Sequence, residues 1–312
     1  MTGDILQSRL KELERMKECD SDVLVEGLRY NQQRIMSNEE IYYNKEEDQS
    51  WIDHYYCDIS FGKSSFPNIF SEMKKLVGAT HKYRNPYHVS KDQYLYTWVD
   101  LQPYGKLKNI YSGTEKSPEE AIKEDFETIY KRFEKYRRLV VAQRYSKNKR
   151  VKNQVRSISR QYKFNVEHVV PQSWFRAKEP MKGDLHHLFT CEPECNSIRS
   201  NYPYYEFSAG AKPLNIYDEC GLHNETGLFE PEYGKGIVAR ATLYFLLRYP
   251  NRIVKSYRQL INRKLMLQWH NEFPVTLYEK HRNKAIFEIQ GNRNPFIDFP
   301  ELTKNPALYT LL

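Results

Sequence analysis

Glu167 and His168 stand side by side in Asn165 to Phe175 (N-V-E-H-V-V-P-Q-S-W-F), followed by Gly183 to Phe189 (G-D-L-H-H-L-F) and Cys195 to Asn201 (C-N-S-I-R-S-N). A carboxylate is a hard oxygen ligand, and an imidazole with an unperturbed pKa near neutrality can take a proton from water. Val166, Val169 and Val170 are β-formers and Pro171 forbids helix just after them, so a short strand ending in a turn is expected. Neighbouring strand residues point to opposite faces. The pair can therefore serve one centre only at the strand's end or at a bend, which Pro171 supplies. Asn196 and Arg199 are three apart in an expected helix that Pro203 would stop, so they share a face. Glu167 and Asn196 offer oxygen donors suited to Mg²⁺, or to Ca²⁺ or Mn²⁺, rather than to zinc. An arginine beside them would clamp a phosphate. These types in this order point to metal-assisted cleavage of a phosphodiester.

The blocks resemble the endonuclease I family of bacterial non-specific nucleases. The family pattern E-H-V-x-P-x-S-W-F is met by Glu167 to Phe175, D-L-H-H-L by Asp184 to Leu188, and N-S-x-R-S-N by Asn196 to Asn201. Phe229 to Pro250 and Gly291 to Asp298 are similar again, so matching blocks run from roughly Tyr94 to Pro300. The resemblance implies an α+β fold: a ββα-metal core embedded in a mostly helical domain, residues 86-305, behind a helical N-terminal extension, residues 1-85. It implies a Mg²⁺-dependent endonuclease that hydrolyses double- and single-stranded DNA, and RNA, with little sequence preference, leaving 5′-phosphate ends. His168 would be the general base, Glu167 and Asn196 would hold the metal, and Arg199 would be a further clamp on the scissile phosphate.

Charge supports a polyanionic substrate. The 312 residues carry a formal net charge of +8. Thirteen lysines and arginines against one acid lie between Lys131 and Lys163, directly before the Glu-His strand. Within that run Arg144, Lys147, Lys149, Arg150, Lys152, Arg156 and Arg160 are the expected nucleic-acid contacts, giving affinity without sequence preference. A solvated linker is the plain alternative. Among the five cysteines, Cys191, Cys195 and Cys220, with His223, could together ligate a structural Zn²⁺. A Cys195–Cys220 disulfide or separate buried thiols would use the same residues differently. Of Asp184, His186 and His187, one histidine is expected to pack inside and the other to support the metal shell.

The remaining chain must position these groups. With 40% apolar and 14% aromatic residues it can bury a sizeable core. Residues 1 to about 75 read as helices, with Leu6, Leu10 and Leu13, then Leu24, Leu28 and Ile35, on one face. Their acidic run Glu39, Glu40, Glu46, Glu47 and Asp48 reads as a solvated face. Tyr94 to Val99 reads as a strand, paired through a Pro103 to Gly105 turn with Leu107 to Tyr111. Ser117-Pro118 opens a helix with Ile122, Phe126, Ile129, Phe133 and Tyr136 on one face. Gly236 to Tyr249 reads as an apolar helix with Arg240 at the surface, and further helices are expected at about 254 to 270 and 274 to 289. Gly291 to Pro295 reads as a turn that lines the cleft or locks the C-terminal segment. The first residues lack the pattern of a cleavable leader, so a cytoplasmic location is the default unless a precursor was trimmed or a leaderless route is used. No run approaches a membrane span. Members of the family it resembles as a rule carry a secretory leader, and that departure suggests inhibition by the extension or by a separate inhibitor protein. Two other classes fit parts of the sequence: a catalytically silent nucleic-acid-binding protein, and a structural zinc protein acting through protein–protein contacts.

Overall fold

The computed structural model describes residues 2–143, 149–208, 215–217 and 219–312. Helices dominate. The N-terminal part forms α1 (Thr2–Lys17), α2 (Ser21–Ser37), α3 (Glu39–Tyr42), α4 (Lys45–Tyr55) and α5 (Phe66–Thr80), as the apolar spacing predicts. Leu6, Leu13, Leu24, Leu28 and Ile35 are buried. Asp48 departs from the expected solvated face: it is buried and pairs with Arg293 at 2.9 Å.

The expected strand at Tyr94 to Val99 is a helix instead. A short α6 (Tyr87–Val89) runs into a π-helical segment, Ser90–Val99. Leu95, Tyr96 and Val99 are buried, and Tyr96 Oη donates to Asp125 Oδ2 at 2.8 Å. A short run of aromatic and β-branched residues does not distinguish strand from buried helix, and burial against neighbouring helices decides it. The Gly105 turn does form, with φ +75°, but β1 (Leu107–Lys108) pairs with β2 (Glu115–Lys116) rather than with residues 94–99.

After β2 come α7 (Pro118–Gln143) and α8 (Lys149–Gln161). Arg144 and Lys147 of the basic run lie outside the described residues, as do the side chains of Lys149, Arg150 and Lys152; Arg156 and Arg160 are exposed. Then β3 (Val166–His168) pairs antiparallel with β4 (Leu188–Thr190) in the register Glu167 opposite Phe189, and α9 (Pro193–Arg199) follows directly. A three-stranded meander, β5 (Asn215–Tyr217), β6 (Gly221–His223) and β7 (Phe229–Pro231), comes next. It leads into α10 (Lys235–Arg248), α11 (Lys255–Arg258), α12 (Arg263–Glu272) and α13 (Leu277–Gln290). The expected helix at 254 to 270 is thus two helices, α11 and α12.

Two apolar clusters hold these elements. One gathers α10, α12, α4 and α5 around Trp174 and Phe175, and includes Val169 and Val170. The other gathers α1, α2, α7 and the π-helical segment, and includes Val166, Leu185 and Leu188. The short strand β3 therefore lies at the seam, with Val166 in one cluster and the residues after His168 in the other. That seam fixes its register, because a one-residue slip would exchange the faces. Helix α10 is buried along its whole length from Gly236 to Leu247, as an all-round apolar helix must be. Arg240 is no surface residue: it is buried and forks onto Glu279 at 2.5 and 2.9 Å. A fixed guanidinium satisfied on a carboxylate tolerates a core position that sequence spacing alone assigns to solvent. No helix among the described residues is long and apolar enough to cross a membrane.

Candidate active site

Strand β3, the turn after it, β4 and α9 bring the first-nominated residues together. Asn196 on α9 donates Nδ2–H to the Val166 carbonyl at 2.6 Å, which ties the helix to the strand and orients the amide. Its Oδ1 accepts from Lys163 Nζ at 3.3 Å. Glu167 is buried, and its Oε1 accepts from Tyr111 Oη at 2.8 Å and lies 3.3 Å from Arg199 Nη1. Burial raises the Glu167 pKa, against the opposing pull of Arg199, Tyr111 and Lys163. Burial likewise lowers the Lys163 pKa, while the Glu167 charge raises it. Each of these two oxygens already faces a cation of the protein, Arg199 at Glu167 and Lys163 at Asn196.

His168 is held by both ring nitrogens. A carbonyl can only accept, so Nε2–H donates to Lys182 O at 2.9 Å. That fixes the neutral tautomer with its lone pair on Nδ1, where Gln172 Nε2 donates at 3.1 Å. Burial, then the nearby His187, Lys182 and Arg199, push the His168 pKa well below its ordinary value, so the ring stays neutral with Nδ1 unprotonated. The Lys182 carbonyl is positioned by its own surroundings. Ser90 Oγ donates to Gly183 O at 2.6 Å, and a side chain at Gly183 would meet Asn85 O at 2.2 Å, so only glycine fits there.

Beside these groups lies a cavity of about 230 Å³, whose lining includes Lys163, Val166, Gln172, Lys182 and Asn196 on one side and Arg9 and Glu12 of α1 on the other. Glu12 pairs with Lys182 across it, and despite burial the lysine holds the Glu12 pKa below its usual range. The N-terminal helix is therefore part of the cavity wall.

Arg199 is brought to the site but turned inward. It is fully buried, donates Nη2–H to Val169 O at 2.7 Å, and stacks over Tyr204 at 4.9 Å. Its guanidinium orients Glu167 from behind the strand. The two histidines of D-L-H-H-L are both inside. His186 Nε2 donates to Asn292 O at 3.1 Å and His187 Nε2 to Met181 O at 2.5 Å; the His187 ring packs edge-on against His168 at 5.4 Å. Asp184 accepts from Tyr244 and Tyr249, each at 2.8 Å, and from Gln290 at 3.0 Å. Both histidines pack inside, as was expected of one of them, and of the two it is His187 whose ring lies against His168.

The zinc reading is also corrected. Cys195 and Cys220 form a disulfide, with Cα atoms 5.3 Å apart, so neither sulfur is available to a metal. Cys191 is a separate buried thiol and His223 lies on β6, its ring against Tyr202. Among the described residues no three His, Cys, Asp or Glu side chains come together as a metal cage. The disulfide joins α9, at the residue before Asn196, to the meander.

Sequence reasoning missed four contributors. Tyr111 reaches Glu167 from the segment after β1, and Tyr204 joins it at 2.9 Å. Gln172, four residues beyond His168, could have been found from the turn that follows the strand. The Lys182 carbonyl could not, because a backbone acceptor leaves no residue signature.

A strand hairpin followed by a helix, carrying a Glu-His pair and an amide at the helix's first turns, defines a class of site before any comparison is made. The Endonuclease I family profile matches residues 78–301, and the chain belongs to that family. It is 34% identical over 122 residues to a periplasmic deoxyribonuclease of Aeromonas hydrophila, covering 38% of this chain and 48% of that one. It is 32% identical over 123 residues to an Endonuclease-1 of Buchnera aphidicola, covering 38% and 47%. To an extracellular ribonuclease of Bacillus amyloliquefaciens it is 34% identical over 161 residues, covering 44% and 52%. The chain spans about half the length of the curated relatives it matches.

Proposed function

We propose that this chain is a divalent-metal-dependent endonuclease that hydrolyses phosphodiester bonds of DNA and RNA, leaving 5′-phosphate ends, from a ββα-metal centre formed by β3, β4 and α9. The observation that carries the reading is the polarised His168: one ring nitrogen is committed to a backbone carbonyl, and the other is bare except for a side-chain amide that lines a cavity. A buried neutral imidazole so oriented is suited to take a proton from water entering that cavity. Gln172 donates to Nδ1 now and would yield to that water, then steady it.

Glu167 and Asn196 would hold the cation. The donor set fits Mg²⁺, which typically takes one or two protein oxygens and completes its sphere with water and substrate phosphate. When bound, the ion neutralises the phosphate and stabilises the leaving oxygen. Arg199 and Tyr111 keep the Glu167 carboxylate aimed, and Asn196 is aimed by its bond to the strand. The clamp on the scissile phosphate that the sequence assigns to Arg199 is better served by Lys163 and Lys182, which line the cavity. The relatives named as deoxyribonuclease and ribonuclease support both substrate types.

The test is plasmid nicking and RNA cleavage by the purified chain, with Mg²⁺ or with EDTA, beside His168→Ala at the same salt. Metal-dependent cutting, lost in the variant while nucleic-acid binding persists, is expected. Binding without cutting by the wild type under any divalent ion would leave a silent binding protein.

A further inference from the structure

We propose that the open cleft between the 176–178 turn and residues 251–263 is a second contact surface for the sugar-phosphate backbone, carrying the substrate strand away from His168. This deepens the nuclease reading and rests on it. The cleft has a volume of about 740 Å³, and Arg176, Lys178, Arg252, Lys255, Arg258 and Arg263 line it without a single acid. Two segments separated by more than seventy positions build it, so no run in the sequence announces it.

What sets these six cations apart is their convergence on one concave wall. Some exposed cations elsewhere are matched, Lys123 and Arg29 with Glu119, Lys131 with Glu127, and Lys106 with Glu115. In the cleft, Arg258 donates to Asn251 Oδ1 and, at 3.1 Å, to an oxygen of Leu312, the last residue of the sequence, and Arg263 donates to Tyr309 O at 3.4 Å. Among the described residues none of the six pairs with an aspartate or glutamate. No acidic side chain offsets their charge, and a concave wall concentrates the field of like charges toward an arriving anion.

The cleft is also in the right place. Its wall includes Phe175 and Met181, and the Phe175 ring lies 6.5 Å from the His168 ring, while the Met181 carbonyl accepts from His187. The segment 172–182 thus borders both cavities, Gln172 and Lys182 facing the catalytic one and Arg176 and Lys178 the cleft. No exposed aromatic ring lines the cleft, so it offers phosphate contacts without a platform for stacked bases. Contacts of that kind position a strand and carry no sequence information. Duplex DNA and single-stranded RNA share the chemistry, so both are tested.

The experiment uses the full chain in EDTA, where binding is measured without cutting. Wild type, Lys178→Gln/Arg252→Gln/Lys255→Gln, and Arg156→Gln/Arg160→Gln in the basic run are titrated with short duplex DNA and with single-stranded RNA over a range of salt. The expected result is at least about tenfold weaker binding by the cleft variant, at an unchanged melting temperature. The logarithmic salt slope on duplex should also become shallower by about two to three, at about 0.9 per lost phosphate contact. Loss on one nucleic acid alone supports the surface and names the strand type it takes. Wild-type affinity and slope in the cleft variant overturn the proposal, most sharply if the basic-run variant has lost both. Cleavage by the wild type with Mg²⁺ is scored separately, so failure of the nuclease reading is not confused with failure of the cleft.

Discussion

Two regions of this protein bury polar groups on a similar scale and use them in opposite ways. Around the turn at residues 292–298 the strong groups are matched inside the protein. Arg293 forks onto Asp48 at 2.9 Å and onto Asp298 at 2.8 Å, Asn283 donates to Asp298 at 2.8 Å, and Asn294 caps the turn that follows. In the strand–turn–helix unit, the matching stops short. Gln172, Lys163 and Asn196 are each held on one side by the protein and meet a cavity on the other, and His168 sits directly behind Gln172. A saturated buried network fixes a fold, and one that keeps an amide or an ammonium group at a cavity can act on something that enters.

The largest expected effect comes from crossing the two. His168→Ala should lower kcat/KM by about 10²- to 10⁴-fold, the usual contribution of a general base, while stability falls by no more than about 2 kcal/mol. Arg293→Met should do the reverse. It leaves Asp48 and Asp298 buried without their cation, so denaturant melting should show a loss of about 3–5 kcal/mol, and the fraction that stays folded should keep its activity. If Arg293→Met proved as stable as wild type but inactive, the contrast between the regions would be wrong.

A smaller effect is set by pH. His186, His270 and His281 are buried, and burial takes each pKa down to about 4. In the unfolded chain they titrate near 6.5. Between those values the unfolded chain binds more protons than the folded one, so stability falls as pH falls. It should be complete above about pH 6.5 and decline below, by about 1.4 kcal/mol per pH unit for each histidine. Urea melts between neutrality and pH 4.5 measure the slope; a flat profile would mean that these rings are already charged in the fold.

The smallest effect concerns α1. Glu12 places a carboxylate on Lys182 at the cavity where a phosphate is expected. Glu12→Gln should tighten binding of a short oligonucleotide by several-fold and leave the turnover rate near wild type. Unchanged affinity would place the substrate path away from the N-terminal helix.

Much of the site was legible because its chemistry is local. Glu167 with His168 before a proline, and Asn196 three residues from Arg199, state the proposed ligand, the proposed base and the shared helix face in short runs of sequence. The direction of a side chain was not legible. Arg199 is charged and three residues from Asn196, which suits a phosphate clamp, yet packing under Tyr204 turns it inward to Glu167. Cys195 and Cys220 have spacings that serve zinc or a disulfide equally well, and only the approach of α9 to the meander chose between them. The Tyr94 to Val99 segment has the residues of a strand and becomes helical because Asp125 and the neighbouring helices bury it.

By itself the sequence determined which groups are available: a carboxylate, an imidazole, an amide, and an excess of cations over acids, in an order that settles the family. It also determined most helices, because apolar spacing and proline act over a few residues. The tertiary structure decided what lies between distant segments. It set the tautomer of His168 through the Lys182 carbonyl, placed α1 along the cavity, and gathered six cations from two separated segments into one cleft. Such features arise from chain crossings whose contacts are far apart in sequence, and no local pattern of residue types encodes where those crossings fall.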